Sequence, residues 1–272
     1  MVGDIGTAKS RLGAEASEIK PNSRHVSAPH ATTKTITAIP EKINEITTLM
    51  LGAIPLSKNA ICAIDEINSF PIEDQGRLLD ILEDGEFNFD KMGIRQLIQA
   101  PTTIIATANP VGGNWNSPEF ASKEEIQLKK NLLDRFPQVY AVRDDMDESL
   151  IDEFVKQMDK INQRKPHNYY FLRKYLIYAS NIQDVRITKG ARTLLNEFWK
   201  QAKLKGLLSI RMYKGLYKIA EAQTKLQLKT QVDEEIANSV MVVNSNQKQN
   251  KNMTIIAQLN IRVSQDILIM QV

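Results

Sequence analysis

The stretch GDIGTAKS, residues 3–10, decides the fold of this chain. A phosphate-binding loop reads glycine, four variable residues, glycine, lysine, and serine or threonine. Gly3, Lys9 and Ser10 match this spacing, whereas Ala8 stands where the second glycine is usual. In such loops main-chain N–H groups surround the phosphates, the lysine contacts the outer phosphates, and the hydroxyl helps to hold Mg²⁺. A glycine-containing turn before a surface helix fits the same residues, so the loop alone leaves two interpretations.

Two adjacent acids close the apolar run AICAIDEIN, residues 60–68. A continuous apolar run of this length is typical of a parallel-sheet strand that is covered on both faces. In phosphate-loop ATPases the first acid, here Asp65, holds Mg²⁺, and the second, here Glu66, polarises the attacking water. Acids that merely begin a loop are the ordinary alternative. The combination with the phosphate loop favours the catalytic interpretation.

Two further polar residues follow predicted elements. Asn109 ends the apolar strand TTIIATANP, and its amide would reach the same phosphate if this strand lies beside the strand of Asp65. Asn-Pro is otherwise an ordinary turn signal. Arg135, in NLLDRFPQVY, ends a helix and is placed to offer positive charge to a phosphate in a neighbouring subunit. A surface ion pair is the alternative for this arginine.

The order of predicted elements indicates the fold class. Strands alternate with helices over residues 1–144, which predicts a three-layer α/β domain with a mainly parallel sheet. Within it we expect helical stretches at about 43–56 and 72–83. Residues 145–243 carry apolar side chains at helical spacing, which predicts a second, all-helical domain. Residues 244–272 read as a polar linker and an unassigned tail.

Composition sets wider bounds. With 42% hydrophobic and 25% charged residues, the chain is typical of a soluble globular protein, and its apolar runs are too short to span a bilayer. We therefore expect a cytosolic protein without a membrane partner. The single cysteine, Cys62, excludes an internal disulfide and is expected in the core. The net charge of +3 does not by itself indicate nucleic-acid binding.

These segments together resemble the ATPases associated with diverse cellular activities (AAA+), and more closely the minichromosome maintenance (MCM) replicative helicases. The resemblance rests on GDIGTAKS, ICAIDEIN, DKMGI, ATANPVGG, LLDRF and LRKYLIYA, and it runs from about Gly3 to Val243. Ala8 supports it, because the MCM loop has alanine immediately before the lysine. The resemblance implies an ATP- and Mg²⁺-dependent DNA helicase, acting as a ring of like or unlike subunits that is expected to be hexameric. It places the protein at the nucleoid of a prokaryote or in the nucleus of a eukaryote.

The resemblance also assigns residue roles. Glu66 is the catalytic acid, Asn109 the first sensor, Arg135 the arginine finger offered to the next subunit, and Arg211 the second sensor in the helical lid. Ser10 and Asp65 are the expected Mg²⁺ ligands. The residues expected to contact the nucleotide are Gly3, Asp4, Gly6, Thr7, Ala8, Lys9, Ser10 and Asp65.

Contact with DNA is expected from two insertions that line the ring's channel. The segment from Phe87 to Gln99 alternates and turns at Met92-Gly93, which predicts a hairpin. The resemblance places Lys91 at the DNA-contacting lysine, with Arg95 as a second candidate, and a lysine there would hold phosphate without reading sequence. Simple solubility is the alternative for both charges. Residues 33–46 occupy the place of the other insertion.

Three departures and one omission leave other functions open. Ile5 and Pro137 replace residues usual in the family, and Pro101 ends a segment that ordinarily closes with arginine. Only Met1 and Val2 precede the loop, so we expect the strand that leads into it to be missing, and the stated start to be a truncation or a misassigned initiation site. One alternative is therefore a degenerate MCM paralogue that binds DNA or a partner ring without hydrolysing ATP. The other is an AAA+ protein remodeller like MoxR or magnesium chelatase.

Overall fold

A computed structural model describes residues 1–116, 125–136, 138–144, 151–152, 169–204 and 210–246. Its central feature is a parallel sheet with the strand order β2-β5-β8-β1-β9. These strands are β1 (Val2–Gly3), β2 (Arg24–Ser27), β5 (Ile61–Asp65), β8 (Thr103–Ala106) and β9 (Ala141–Val142). The predicted α/β class with a mainly parallel sheet is confirmed.

The strand before the phosphate loop, which we expected to be missing, is present over two residues. In β1, Val2 N–H donates to the carbonyl of Tyr140 at 2.8 Å, and Gly3 N–H donates to that of Ala108 at 3.1 Å. A Cβ added to Gly3 would lie only 1.9 Å from the carbonyl oxygen of Val142. Two extended residues thus satisfy main-chain groups on both neighbouring segments and direct the loop that follows.

The described residues of this part of the chain also form five α-helices and two hairpins. The helices are α1 (Lys9–Ile19), α2 (Thr33–Thr37), α3 (Ala53–Leu56), α4 (Arg77–Asp84) and α5 (Lys130–Leu133). Helix α1 packs against β5. The main apolar core of this part of the chain includes Ile64 of β5 and Leu78 of α4. The helix predicted over 72–83 is observed as α4 and is shorter than expected, because a 3₁₀ turn at residues 74–76 precedes it.

The helix predicted over 43–56 is wrong for most of its length. The structure has a hairpin of β3 (Ala38–Ile43) and β4 (Ile46–Leu51), and only α3 is helical. Asn44 and Glu45 form its turn with φ values of 48° and 66°, as a tight hairpin requires. The run of threonine and isoleucine around this turn favours extended backbone over helix.

The second hairpin, predicted over 87–99, is confirmed as β6 (Glu86–Lys91) and β7 (Ile94–Gln99). Met92 and Gly93 form its turn at positive φ. The two hairpins share a small apolar cluster in which Ala38 of β3 packs with Phe89 and Ile98. The two hairpins therefore pack against each other through these apolar side chains.

A second group of helices has its own buried cluster, which includes Leu195, Leu216 and Ile236. It contains α6 (Tyr170–Ser180), α7 (Lys189–Leu204), α8 (Ile210–Leu226), α9 (Glu234–Asn246), and the paired strands β10 (Arg186–Ile187) and β11 (Gln231–Val232). No helix in the described ranges has the length and apolar character needed to cross a membrane. The domain boundary at 144/145 stays a prediction, and the tail beyond Asn246 lies outside the described residues.

Hydrogen bonds from Tyr169 and Arg173 join this helical group to α1. The Tyr169 hydroxyl donates to the carboxylate of Glu15, and the Arg173 guanidinium donates to the Glu18 carbonyl at 2.6 and 2.9 Å. Burial, followed by the hydrogen bond to Glu15, raises the pKa of Tyr169 to about 12. The helix that starts at the phosphate loop is therefore held directly by the helical group.

Cys62 provides a first testable prediction. It lies in β5 with no exposed surface, and burial raises the pKa of its thiol to about 12. Because the thiolate is the reactive form and only about one thiol in 10⁴ would be ionised at pH 8, we expect no reaction of the folded chain with an aromatic disulfide reagent. The same chain in guanidinium chloride should react with one equivalent. Rapid labelling of the folded chain would contradict the buried position of β5.

Candidate nucleotide-binding site

The phosphate loop spans the gap between β1 and α1 in a conformation that presents main-chain donors. Gly6 has φ 89° and Ala8 has φ 57°, both in the left-handed region. Within the described parts of the chain, the N–H groups of residues 6–10 have no acceptor. Consecutive N–H groups of this kind, followed by a helix N-terminus, form an anion-binding concavity. The loop is thus built to receive a phosphate.

Lys9 lies within this loop rather than on the surface. Its side chain is buried, and Nζ donates to the Asp4 carbonyl at 2.5 Å and to the Thr7 hydroxyl at 3.1 Å. Burial lowers the pKa of Lys9, while the charges of Asp4, Asp65 and Glu66 act in the opposite direction. The structure therefore brings the loop lysine close to both predicted acids.

Asp65 is the last residue of β5 and Glu66 follows it, next to the end of β8. Ile64 pairs with Ala106, so that Asp65 lies beside Thr107. The Thr107 hydroxyl donates to Asp65 Oδ1 and accepts the Glu66 N–H at 3.0 Å. Glu66 itself has φ 54°, a conformation that is uncommon for a residue with a side chain and frequent at functional sites.

Thr107 is a site residue that the sequence analysis missed. It is 3% exposed and lies two residues before the predicted sensor. A threonine inside the apolar run TTIIATA reads as an ordinary strand residue. The signal that could have found Thr107 is its position opposite Asp65. That position is known only once the register between the two strands is known, and predicting the strands alone does not give it.

Asn109 also reaches this edge of the sheet. Its N–H donates to the Asn68 side chain at 3.3 Å, which joins it to the turn that follows the acids. Because β1, β5 and β8 are parallel neighbours, the segments after them meet at one edge. The structure thus brings together Lys9, Asp65, Glu66 and Asn109, and their roles stay predictions.

Asp4 has a structural task in this arrangement. Its carboxylate accepts the N–H of Trp115 at 2.8 Å and the N–H of Asp144 at 2.9 Å, and its own N–H donates to Val142. These bonds anchor the loop to the segments that follow β8 and β9. The carboxylate, the N–H and the carbonyl of Asp4 all have partners within the chain, and its expected contact with the nucleotide stays a prediction.

The oxygen donors at this edge suit a magnesium ion. The hydroxyl of exposed Ser10 and Asp65 Oδ2 have no hydrogen-bond partner among the described residues. Hydroxyl and carboxylate oxygens are hard ligands, and Mg²⁺ in phosphate-transfer sites uses one or two of them together with substrate phosphates and water. The residues present therefore fit the expected metal.

The other predicted residues lie apart from this edge. Arg135 forms an ion pair with Glu83 of α4, and its side chain is 13% exposed. Arg211 lies in α8, and its side chain falls outside the described part of the structure. Lys91 ends β6 beside the hairpin turn, whereas Arg95 of β7 pairs with Asp90 at 2.9 Å. Pro137 lies outside the described residues.

Comparison with known proteins decides the family. The family model described as the MCM P-loop domain matches residues 1–161, which is more than half of the chain. The chain belongs to the MCM family. The expected resemblance is thereby confirmed.

Individual relatives agree with this assignment. This MCM chain is 28% identical over 248 residues to the DNA replication licensing factor mcm4-B of Xenopus laevis, covering 86% of this chain and 29% of the relative. It is 28% identical over 250 residues to the minichromosome maintenance protein MCM of Saccharolobus solfataricus, covering 87% and 36%. With the DNA replication licensing factor MCM6 of Arabidopsis thaliana it shares 30% over 205 residues, covering 72% and 24%. The chain thus spans about a third or less of the length of these relatives.

Proposed function

We propose that this MCM chain is the motor region of an ATP-dependent DNA helicase that serves DNA replication. The observation that carries the proposal is the meeting of a buried lysine, two acids and a row of unpaired loop N–H groups at one edge of the sheet. Family membership supports nucleotide binding at this edge, and relatives named DNA replication licensing factors support the replicative role. Such a protein acts at the nucleoid of a prokaryote or in the nucleus of a eukaryote.

The proposal assigns a chemical role to each of the chain's own residues at this edge. The N–H groups of residues 6–10 and the Lys9 ammonium would hold the phosphates, and Ser10 and Asp65 would hold Mg²⁺. The bound ion supplies positive charge to the phosphate oxygens. Glu66 accepts a hydrogen bond from the attacking water and orients it toward the γ-phosphate. The carboxamide of Asn109 contacts the same water or phosphate.

The arginine finger and the hairpins extend the proposal to a ring. Arg135 follows α5 by two residues and forms an ion pair with Glu83 of α4 in its own chain. We propose that it reaches the ATP of the neighbouring subunit in a ring, expected to be hexameric, of like or unlike MCM subunits. Arg211 would contact nucleotide from the helical lid. The hairpin with Lys91 would face DNA in the channel without sequence preference.

Lys91 and Arg95 allow a matched test of DNA contact. Lys91 is exposed and has no ion pair among the described residues, whereas the charge of Arg95 is compensated by Asp90. We expect Lys91→Ala to weaken single-stranded DNA binding about tenfold and to reduce its salt dependence, while Arg95→Ala has about a twofold effect. Fluorescence anisotropy with a labelled oligonucleotide at two salt concentrations measures both. Equal losses in the two variants would contradict the proposed contact.

The whole proposal is tested with the full chain and Mg²⁺-ATP. We expect hydrolysis that increases when single-stranded DNA is added, and nucleotide binding that disappears in Lys9→Ala. DNA binding without ATP binding or hydrolysis would favour the degenerate paralogue, whereas tight, Lys9-dependent ATP binding would count against it. Hydrolysis without DNA affinity would favour the protein remodeller.

A further inference from the structure

We infer that Thr107 is a positioning residue that sets the orientation of both catalytic acids through one hydroxyl group. The inference rests on the proposed ATPase function for its consequence, but its contacts are independent of that function. The Thr107 hydroxyl donates its single proton to Asp65 Oδ1 and accepts the N–H of Glu66 at 3.0 Å. One atom therefore bridges the side chain of the first acid and the main chain of the second.

The main chain of Thr107 strengthens this arrangement. Its carbonyl accepts the N–H of Ile67 at 2.9 Å, and its N–H donates to the Ile64 carbonyl at 3.0 Å. Glu66, at φ 54°, is thus held by hydrogen bonds to Thr107 from its own N–H and from the next one. A left-handed residue persists where its surroundings specify it, so these bonds fix the main chain from which the Glu66 side chain projects.

The methyl group of Thr107 determines which way the hydroxyl points. A Cβ built on Gly13 of α1 would lie 3.9 Å from Thr107 Cγ2, which places this methyl under the helix. The side chain is 3% exposed, so solvent does not replace the hydroxyl bonds. With the methyl against α1, the hydroxyl is left for the acids. Thr107 therefore connects the helix that starts at Lys9 with Asp65 and Glu66.

The bridge through the Thr107 hydroxyl predicts which properties of the site change when that hydroxyl is removed and which stay the same. Asp65 Oδ1 is occupied by Thr107, which leaves Oδ2 for the Mg²⁺ shell. Loss of the hydroxyl frees the Asp65 carboxylate to rotate and leaves the Glu66 N–H without its acceptor. We expect a weaker response of nucleotide binding to Mg²⁺ and a lower kcat, with little change in nucleotide binding without metal, since the loop N–H groups and Lys9 are untouched.

Thr107→Val and Thr107→Ser form the matched pair. Valine keeps the shape and the methyl but lacks both hydrogen bonds, whereas serine keeps both bonds. Mg²⁺ is expected to increase the affinity of the parent chain for fluorescent ADP, and we expect this increase to be about tenfold smaller in the valine variant. We also expect the kcat of the valine variant to be about tenfold lower. Both quantities should stay within about twofold of the parent in the serine variant. Thr107→Ala removes the same hydroxyl and replaces the valine variant if that one fails to fold.

Amide exchange of the nucleotide-free chain separates this inference from the proposed function. We expect NMR exchange of the Glu66 amide to accelerate about tenfold or more in the valine variant and to remain slow in the serine variant. Unchanged exchange, or an unchanged Mg²⁺ response of ADP binding, would overturn the role of Thr107. A parent chain that binds no nucleotide would overturn the proposed function, while the exchange comparison would still decide whether Thr107 holds Glu66.

Discussion

Replacing Glu66 with glutamine is expected to lower ATP hydrolysis by about 10²–10⁴-fold, because the amide cannot act as the base that polarises the water. ATP binding should remain close to that of the parent chain. The phosphate contacts come from the loop N–H groups and Lys9, and the main-chain bond from Glu66 to Thr107 is the same in both variants. The change is confined to one oxygen of the side chain. Steady-state phosphate release and fluorescent ATP titration measure the two quantities.

Glu73→Gln is the matched control for this prediction. Glu73 is an exposed glutamate on the segment between the acids and α4, and it has no ion pair among the described residues. We expect this control to hydrolyse ATP at the parent rate. An active Glu66→Gln variant would show that Glu66 is a structural residue of the turn and would remove the proposed catalytic base.

Replacing Arg135 with alanine is expected to reduce hydrolysis by about a thousandfold in assembled rings, since an arginine finger contributes on this scale to phosphoryl transfer. The physical reason is loss of the guanidinium charge near the phosphate of the neighbouring subunit. Nucleotide binding by the variant's own loop should persist. Arg77→Ala is the control, because Arg77 is an exposed arginine of α4 whose weak pair with Asp74 lies within one turn.

Mixing the two inactive variants tests whether the site is shared between subunits. An Arg135→Ala subunit still has Glu66, and a Glu66→Gln subunit still has Arg135. When the two variants are mixed in equal amounts in a head-to-tail ring, about a quarter of the subunit interfaces combine an intact Glu66 from one subunit with an intact Arg135 from the next. ATP hydrolysis should therefore return to roughly a quarter of the parent rate. A mixture as inactive as its components would assign Arg135 to the ion pair with Glu83 within its own chain.

Much of the site could be predicted from the sequence because phosphate binding depends on local spacing. The loop from Gly3 to Ser10 needs a fixed number of residues between its strand and its helix, and this number is visible without a structure. Asp65 and Asn109 were found for a related reason, since each directly follows an apolar run. Their expected positions at one edge follow from parallel pairing alone.

Local patterns failed where two structures suit the same residues. The segment 43–56 has apolar spacing that fits a helix, yet it forms β4 and α3. Pairing with β3 and packing of Ala38 and Leu49 against Phe89 of the other hairpin decide between them. Such contacts join residues far apart in the chain, so a local window does not contain them.

The sequence by itself determined the family, the α/β class and the identity of the phosphate loop, because these depend on motifs and periodicities within short segments. Only the tertiary structure showed that two residues of β1 hold the loop between β8 and β9. It also showed Asp4 anchoring neighbouring segments and Thr107 joining Asp65 to Glu66. The physical reason is register: which side chain meets which N–H across parallel strands is set by pairing over 40 residues or more of intervening chain.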